Sequence, residues 1–281
     1  NTYGGNMVTI FLSDLDGTLL DSSGKVSAES ADILNKAISG QKLFSVATAR
    51  SYDTAAELMK NIHTNAPAVL LNGALICDLK SGQIYHYSAI SSETASWVFS
   101  IFKEHGRTPF CYFLKSEEDA ASVTLEYISP ATPFDKEFID ECENIGSSIE
   151  RVDEFDFEKP ALYFTAMDTE RIVMPIYKMV KELHGCDVTL YRDTYHEGYW
   201  FLDIFAAGTS KANGALLAKK IAGADIMTAF GDNLNDISML NAADCAVAVS
   251  NAVDDTKKIC DKIIGGNDDD AVAKYILDYT V

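Results

Sequence analysis

Short apolar runs, each ending at small polar residues, alternate with helical patterns along the first and last parts of the chain. Six of these runs have the length and β-branched content of buried strands: residues 8–12, 43–47, 68–71, 200–205, 226–230 and 246–249. Between the runs, apolar residues recur at helical spacing, as at Ala31, Leu34 and Ile38. Strands that alternate with helices predict a parallel sheet with right-handed crossovers.

The alternation changes between residues 89 and 193. There the pattern predicts segregated helices and strands, which is typical of an α+β unit with a more antiparallel sheet. We therefore expect an α/β fold, with a Rossmann-like, doubly wound parallel sheet as the core and an inserted α+β cap domain. The predicted boundaries are 1–88 for the first part of the core, 89–193 for the cap and 194–281 for the second part of the core.

Two carboxylates follow the first predicted strand directly. Asp14 and Asp16 stand at positions i and i+2, so on an extended chain both side chains project to the same side. Gly17 then allows a backbone conformation that few other residues tolerate. Because buried carboxylates are costly without a compensating cation, the arrangement suits a metal-bound carboxylate beside a second carboxylate that moves protons.

Further polar side chains stand at or near the ends of other predicted strands. They are Thr48, Arg50, Lys211, Asp232, Asn235 and Asp236. Since ligands of open α/β sheets bind outside the carboxyl ends of the strands, we expect these side chains along one edge. Carboxylates without a nearby histidine or cysteine favour a hard cation, most simply Mg²⁺. A lysine with a threonine hydroxyl suits a phosphate or carboxylate, and aspartate is a competent nucleophile.

The chain is strongly acidic: its 281 residues include 42 acidic and 23 basic ones, for a net charge of −19. Such a surface repels phosphate backbones and anionic lipids, so we expect neither nucleic-acid nor membrane binding. The six cysteines are scattered without a Cys-x-x-Cys pair, which favours a reducing compartment and a cytoplasmic location. The six residues before Met7 carry no signal pattern, and we expect a disordered leader or an expression remnant.

Four short motifs together resemble those of the haloacid dehalogenase superfamily of phosphatases. They are Asp14-Leu15-Asp16-Gly17-Thr18, Thr48, Lys211 and Gly231-Asp232-x-x-Asn235-Asp236. The long insert between Thr48 and Lys211 resembles the large cap of the Cof-type branch, subfamily IIB. Ala49 stands where that branch commonly has glycine.

The resemblance implies roles for the acidic residues. Asp14 would attack phosphorus and become an aspartyl-phosphate, and Asp16 would protonate the leaving alcohol and then activate water. Mg²⁺ would be held by an Asp14 carboxylate oxygen, the Asp16 backbone carbonyl and Asp232. Asp236 would help to orient these ligands.

The resemblance also implies how the phosphate is bound. Thr48 and Lys211 would hold the phosphoryl oxygens, and Asn235 would assist at the phosphate and the metal. Arg50 would touch the substrate or cap the edge of the sheet. The implied function is Mg²⁺-dependent hydrolysis of a small phosphate monoester, such as a sugar phosphate or a phosphorylated cofactor.

Two other functions fit part of the same pattern. A sugar-phosphate mutase would need basic residues in the insert for a second phosphate, and Lys115, Arg171 and Arg192 are thinly spread for that purpose. A receiver-like signalling module would be phosphorylated on one aspartate and read by a partner. A lasting phospho-aspartate gains nothing from an adjacent acid–base group, so the pair of Asp14 and Asp16 argues against such a module.

Overall fold

The computed structural model describes residues 7–115, 121–192 and 196–280, so the expected leader and the predicted boundary at 193/194 lie outside the described residues. The chain divides into two compact units. The first comprises the residues up to Arg50, Ala55–Tyr85 and those from Ser210 onward, and the second comprises Ser51–Thr54 and His86–Thr209. Among the described residues, no helix is both long and apolar enough to cross a membrane.

The described residues contain both strands and helices. The strands are β1 (Thr9–Ser13), β2 (Leu43–Val46), β3 (Ala68–Leu70), β4 (Leu75–Cys77), β5 (Ile84–Tyr87), β6 (Phe110–Leu114), β7 (Val123–Tyr127), β8 (Ile149–Arg151), β9 (Ala161–Thr169), β10 (Cys186–Arg192), β11 (Tyr199–Ala206), β12 (Ile226–Gly231), β13 (Cys245–Ala248) and β14 (Lys262–Ile263). The helices are α1 (Ala28–Ser39), α2 (Tyr52–Met59), α3 (Ser92–Glu104), α4 (Pro133–Asn144), α5 (Glu170–Val180), α6 (Lys211–Ile221), α7 (Ile237–Ala242), α8 (Asp254–Ile259) and α9 (Ala271–Asp278).

The first unit is built on a five-stranded sheet in the order β14-β13-β12-β1-β2, with parallel pairs throughout. All five residues of β1 are buried, and Ser13 is in register with Phe230 of β12 and Val46 of β2. A parallel bridge between Ala47 and Val69 places β3 beside the end of β2. The predicted parallel α/β core is confirmed, and its strands end along one edge, where ligands bind in such sheets.

The second unit contains a six-stranded sheet in the order β10-β11-β9-β6-β7-β8. The pairs are antiparallel except β7 with β8. Helices α3 and α5 pack on one face, against Phe113, Phe164 and Leu202, and α4 packs against Phe110 and Leu125 on the other. This unit confirms the predicted α+β insert.

The apolar run at 200–205 was assigned to the wrong sheet from the sequence. It forms the strand β11, but this strand pairs antiparallel with β10 and β9 in the second unit. The second part of the first unit therefore begins at Ser210 rather than at residue 194. The physical reason is that apolar residues mark a strand as buried without showing whether its neighbours are parallel or antiparallel. Here Leu202–Ala206 are buried within the six-stranded sheet.

The C-terminal end of α9, the last helix of the first unit, is capped by the side chain of Lys42, which lies between α1 and β2. The Lys42 ammonium donates hydrogen bonds to the carbonyls of Ile276, Leu277 and Tyr279, the last two at 2.6 and 2.9 Å. Carbonyls at a helix C-terminus lack partners within the helix, and a cation there also interacts favourably with the helix dipole. Burial lowers the pKa of Lys42, so these carbonyls compensate a partly desolvated charge.

We predict that Lys42→Met destabilises the first unit, because methionine keeps most of the aliphatic stem but cannot donate to the three carbonyls. The loss should be about 1.5–3 kcal/mol, the range for hydrogen bonds to charged groups. Urea unfolding followed by circular dichroism measures it. Lys36→Met, at an exposed position of α1, is the control and should change stability by less than about 0.5 kcal/mol. Equal effects of the two changes would contradict this role of Lys42.

Candidate active site

Asp14 stands at the point where β1 leaves the sheet. Its backbone N–H still donates to the Phe230 carbonyl at 3.0 Å, which continues the ladder with β12. The chain then forms a wide turn over Leu15–Leu19, closed by the Leu20 N–H on the Leu15 carbonyl at 2.9 Å. Because the neighbouring strands bury this position, Asp14 is only 4 % exposed.

A buried ammonium links the ends of three elements of the first unit. Lys211, the first residue of α6, donates through Nζ to Asp14 Oδ1 and to Asp236 Oδ1, each at 2.6 Å. Ser210 caps this helix by accepting from the Asn213 N–H at 3.1 Å, which fixes where Lys211 emerges. The sequence prediction placed Asp14 and Lys211 on one edge, and the structure brings them into direct contact.

The charges in this cluster shift one another's ionisation. Burial, followed by the Asp236 carboxylate, raises the pKa of Asp14 well above its usual range. Burial and then Asp236 raise the pKa of Asp232 to about 6. Burial alone would lower the pKa of Lys211, but Asp14 and Asp236 raise it above its ordinary value. The pocket therefore has an excess of negative charge around one ammonium.

Asp236 holds the loop after β12 in place. Its Oδ2 atom accepts from the backbone N–H groups of Asp232 and Asn233 at 3.0 and 3.1 Å. A Cβ atom on Gly231 would lie 2.6 Å from the Asp236 Cβ, so only glycine permits this approach. Asp236 is fully buried, and its two oxygens connect the loop to Lys211.

Asp232 is oriented by the turn that follows Asp14. The Thr18 hydroxyl donates to Asp232 Oδ1 at 3.0 Å. Gly17 has a φ of +76°, and a Cβ there would overlap Asp232 Oδ2. The Asn251 side chain donates to the Gly17 carbonyl at 2.7 Å and supports the turn from the other side.

Thr18 and Asn251 were not assigned roles from the sequence. Thr18 stands inside the Asp-x-Asp-Gly-Thr motif, so its position gave a usable signal. Asn251 is 234 residues from Gly17 along the chain, and no local pattern connects the two residues.

Asp16 is paired with Arg50 rather than with the buried cluster. Arg50 donates through Nε to Asp16 Oδ2 at 2.8 Å and through Nη2 to Oδ1 at 2.7 Å. The Asp16 side chain is 57 % exposed, and hydrogen bonding to it raises the pKa of Arg50. The pair is bidentate, which is the favoured geometry of arginine with a carboxylate.

Thr48 and Asn235 complete the set of predicted residues. Thr48 is buried at the end of β2, its N–H donates to the Val69 carbonyl at 2.8 Å, and its hydroxyl accepts from the Arg50 N–H at 3.2 Å. Asn235 lies in the short turn Leu234–Asp236 and is exposed. Both residues therefore belong to loops that follow strands of the first sheet.

Three carboxylates in the described residues are arranged to share a cation. Asp14, Asp232 and Asp236 each present an oxygen within 4.8 Å of the others. An all-oxygen donor set without histidine or cysteine fits a hard divalent ion. From the sequence, Asp14 and Asp232 were predicted to bind the metal through carboxylate oxygens, and Asp236 was predicted to orient these ligands. The Asp16 carboxylate is not part of this cluster, because it contacts Arg50.

The chain was compared with known families and proteins. A model of the haloacid dehalogenase-like hydrolases matches residues 11–276. Phosphatase YwpJ of Bacillus subtilis is 27% identical over 280 residues, which cover 92% of this chain and 95% of that protein. Pyridoxal phosphate phosphatase YbhA of Escherichia coli is 23% identical over 279 residues, with 95% of this chain and 97% of that protein covered.

Another relative is much longer than this chain. The chloroplastic endoribonuclease YBEY of Arabidopsis thaliana is 27% identical over 289 residues. The aligned region covers 95% of this chain but 45% of that protein, so the chain spans less than half of the relative's length.

Two solved structures share the fold. A haloacid dehalogenase-like hydrolase from Bacteroides thetaiotaomicron superposes with a TM-score of 0.77 at 22% identity, covering 96% of this chain and 98% of that one. The subclass IIB sugar phosphatase BT4131 superposes with a TM-score of 0.71 at 20% identity, covering 96% and 98%. These likenesses confirm the predicted fold class.

We predict that Gly17→Ala costs more stability than Gly24→Ala. Both glycines have φ near +75°, at +76° and +73°, but a Cβ on Gly24 meets nothing within 4 Å. Both variants therefore carry the backbone strain of a left-handed alanine, and only Gly17→Ala must also displace the Asp232 carboxylate. Urea unfolding should show an additional loss of about 1 kcal/mol or more, typical of strain from overpacking. Equal losses of stability in the two variants would contradict the prediction and would mean that the Asp232 carboxylate moves aside without cost.

Proposed function

We propose that this chain, which belongs to the haloacid dehalogenase-like hydrolases, is a Mg²⁺-dependent phosphatase that hydrolyses a small phosphate monoester through an aspartyl-phosphate. The observation that carries this proposal is the cluster of Asp14, Asp232 and Asp236 beside the buried Lys211 ammonium. Phosphoryl transfer depends chiefly on positioning and on neutralising charge. The cluster offers a fixed carboxylate nucleophile and a fixed cation within one hydrogen bond of each other.

In the first step, an Asp14 carboxylate oxygen attacks phosphorus and the bond between phosphorus and the ester oxygen breaks. Lys211 favours the ionised form of Asp14 that this attack requires, against the burial that raises the Asp14 pKa. The leaving alkoxide takes a proton from Asp16. Because Asp16 is a carboxylate paired with Arg50 in this structure, it must first leave Arg50 and take up a proton from solvent. Arg50 can then bind the substrate phosphate instead.

In the second step, water attacks phosphorus of the aspartyl-phosphate and the Asp14 carboxylate leaves. Asp16, now ionised, accepts the proton of the attacking water, so the enzyme returns to its starting state and releases inorganic phosphate. Thr48 and Lys211 would hold non-bridging oxygens throughout, since both are buried at strand or helix ends on the same edge.

The donor set fits a magnesium ion. Asp14 and Asp232 would hold it, together with the Asp16 backbone carbonyl that the family resemblance implies, and when bound it would neutralise the phosphate and the local carboxylates. Asp236 already accepts from Lys211 and from two backbone N–H groups. Its role would therefore be to keep Asp232 and Lys211 in place.

The substrate class rests on relatives. One relative is a pyridoxal phosphate phosphatase, and a structural neighbour is a sugar phosphatase. We propose a small ester of this kind, a sugar phosphate or a phosphorylated cofactor. A cytoplasmic location is proposed on the six free cysteines, of which four are buried.

We predict that Asp14→Asn abolishes hydrolysis of p-nitrophenyl phosphate without loss of stability. The amide is isosteric but is neither a nucleophile nor a good Mg²⁺ ligand, so activity should fall below about 1% of wild type, a loss of several kcal/mol in transition-state stabilisation. The temperature of thermal unfolding should not fall, because the change removes one carboxylate from a crowded group of carboxylates.

The matched control for this variant is Asp268→Asn, which changes an aspartate outside the cluster and should keep wild-type activity. Residual activity of Asp14→Asn well above that limit would assign the nucleophile to another residue.

We predict that hydrolysis depends on a divalent cation. Removal of metal with a chelator should stop turnover, and Mg²⁺ should restore it, since the ligands are oxygen atoms only. Asp232→Asn should raise the Mg²⁺ concentration needed for half-maximal activity. Full activity in chelator, or recovery with Zn²⁺ but not with Mg²⁺, would contradict the proposed ligand set.

A further inference from the structure

The turn after β3 contains three successive residues with left-handed backbone conformations. Leu71, Asn72 and Gly73 have φ values of 48°, 52° and 100°. This region is uncommon for residues other than glycine, and a bulky leucine there is an outlier. Strain of this kind persists only where the surrounding contacts fix the backbone, and it is found disproportionately at functional sites.

The contacts that fix this turn come from the proposed phosphate-binding segments. The Asn72 N–H donates to the Thr48 carbonyl, and the Leu71 N–H donates to the Arg50 carbonyl, both at 3.1 Å. On the opposite side, Gly73 lies so close to α6 that a Cβ would overlap the Ser210 carbonyl and lie 3.4 Å from the Lys211 backbone nitrogen. The turn is therefore held between the loop that carries Thr48 and the helix end that carries Lys211.

The Asn72 side chain carries a polar atom that has no hydrogen-bond partner among the described residues. Its Oδ1 atom is buried and makes no hydrogen bond to any described residue. Most buried polar atoms in native proteins are paired, so an unpaired one calls for a ligand, a water or a catalytic role. A half turn about χ2 exchanges the oxygen and nitrogen of the carboxamide, so the same position can present either an acceptor or an N–H donor.

We propose that the Asn72 carboxamide is a further phosphoryl-binding group, which donates an N–H to a non-bridging oxygen of the substrate. This assignment rests on the proposed phosphatase function and adds a neutral donor to the Thr48 hydroxyl and the Lys211 ammonium. A phosphate dianion offers only acceptors. A carboxamide whose nitrogen faces the phosphate can therefore donate a hydrogen bond to one of its oxygens. The contact is with the phosphoryl group, so it is common to all esters and to inorganic phosphate.

Two substitutions separate this role from a purely conformational one. Asn72→Gly keeps the left-handed backbone without strain and removes the amide. Asn72→Asp keeps the size of the side chain and its tolerance of left-handed backbone, but places a negative charge where the phosphoryl oxygens bind. A conformational role predicts that both variants resemble wild type. A phosphoryl contact predicts that Asn72→Gly is impaired and that Asn72→Asp is impaired more.

The measurements are kcat and KM for p-nitrophenyl phosphate and for a sugar phosphate, the inhibition constant of inorganic phosphate, and thermal unfolding. Asn72→Gly should raise KM and the phosphate inhibition constant by the same factor, about 10- to 150-fold, as expected for loss of one hydrogen bond to a charged group. Asn72→Asp should raise both further. The unfolding temperature of Asn72→Gly should not fall.

Gln41→Gly is the matched control, because it also replaces a carboxamide side chain at positive φ (+69°) with glycine, at an exposed position in the turn after α1. It should leave KM and phosphate inhibition unchanged. The assignment is overturned if Asn72→Asp binds phosphate as well as wild type does, or if the factor differs between the two esters. A wild-type protein that neither hydrolyses these esters nor binds phosphate would overturn the proposed function itself, together with this assignment.

Discussion

The candidate site depends on one buried contact, the Lys211 ammonium between the carboxylates of Asp14 and Asp236. Each of these charges would be costly to bury alone. Asp14 is 197 residues from Lys211 along the chain, and Asp236 is 25 residues from it, so only the folded sheet brings them together. The order of the strands, with β1 directly beside β12, is what makes this contact possible.

The same contact leaves the site with unbalanced charge. Burial and mutual repulsion raise the pKa values of Asp14 and Asp232. A carboxyl group whose pKa is higher in the folded chain than in the unfolded chain destabilises the fold once the pH exceeds its unfolded value. At neutral pH these two carboxyl groups therefore oppose folding, whereas the raised pKa of Lys211 acts in the opposite direction. A divalent cation between the carboxylate oxygens would reduce their repulsion.

Much of the site could be predicted from the sequence because its chemistry needs particular residue types at strand ends. Asp14, Thr48 and Asp232 lie just after parallel strands, as expected. Lys211 begins α6, but the strand predicted before it belongs to the second unit. The supporting contacts could not be predicted in the same way. The Asn251 contact with Gly17 joins distant segments, and the ion pair of Arg50 with Asp16 depends on side-chain geometry that spacing does not determine.

The predicted boundary between the two units was wrong for a related reason. Residues 200–205 form a strand, as predicted, but hydrophobicity reports only that its two faces are covered and not which strands lie beside it. The ladders that join β11 to β9 and β10 are made of backbone hydrogen bonds, which every residue type except proline can donate. Site residues are constrained by the chemistry of their side chains, so residue types at particular positions predict them. Backbone hydrogen bonds look alike for every strand neighbour, so the neighbours of a strand are hard to predict from its residue types alone.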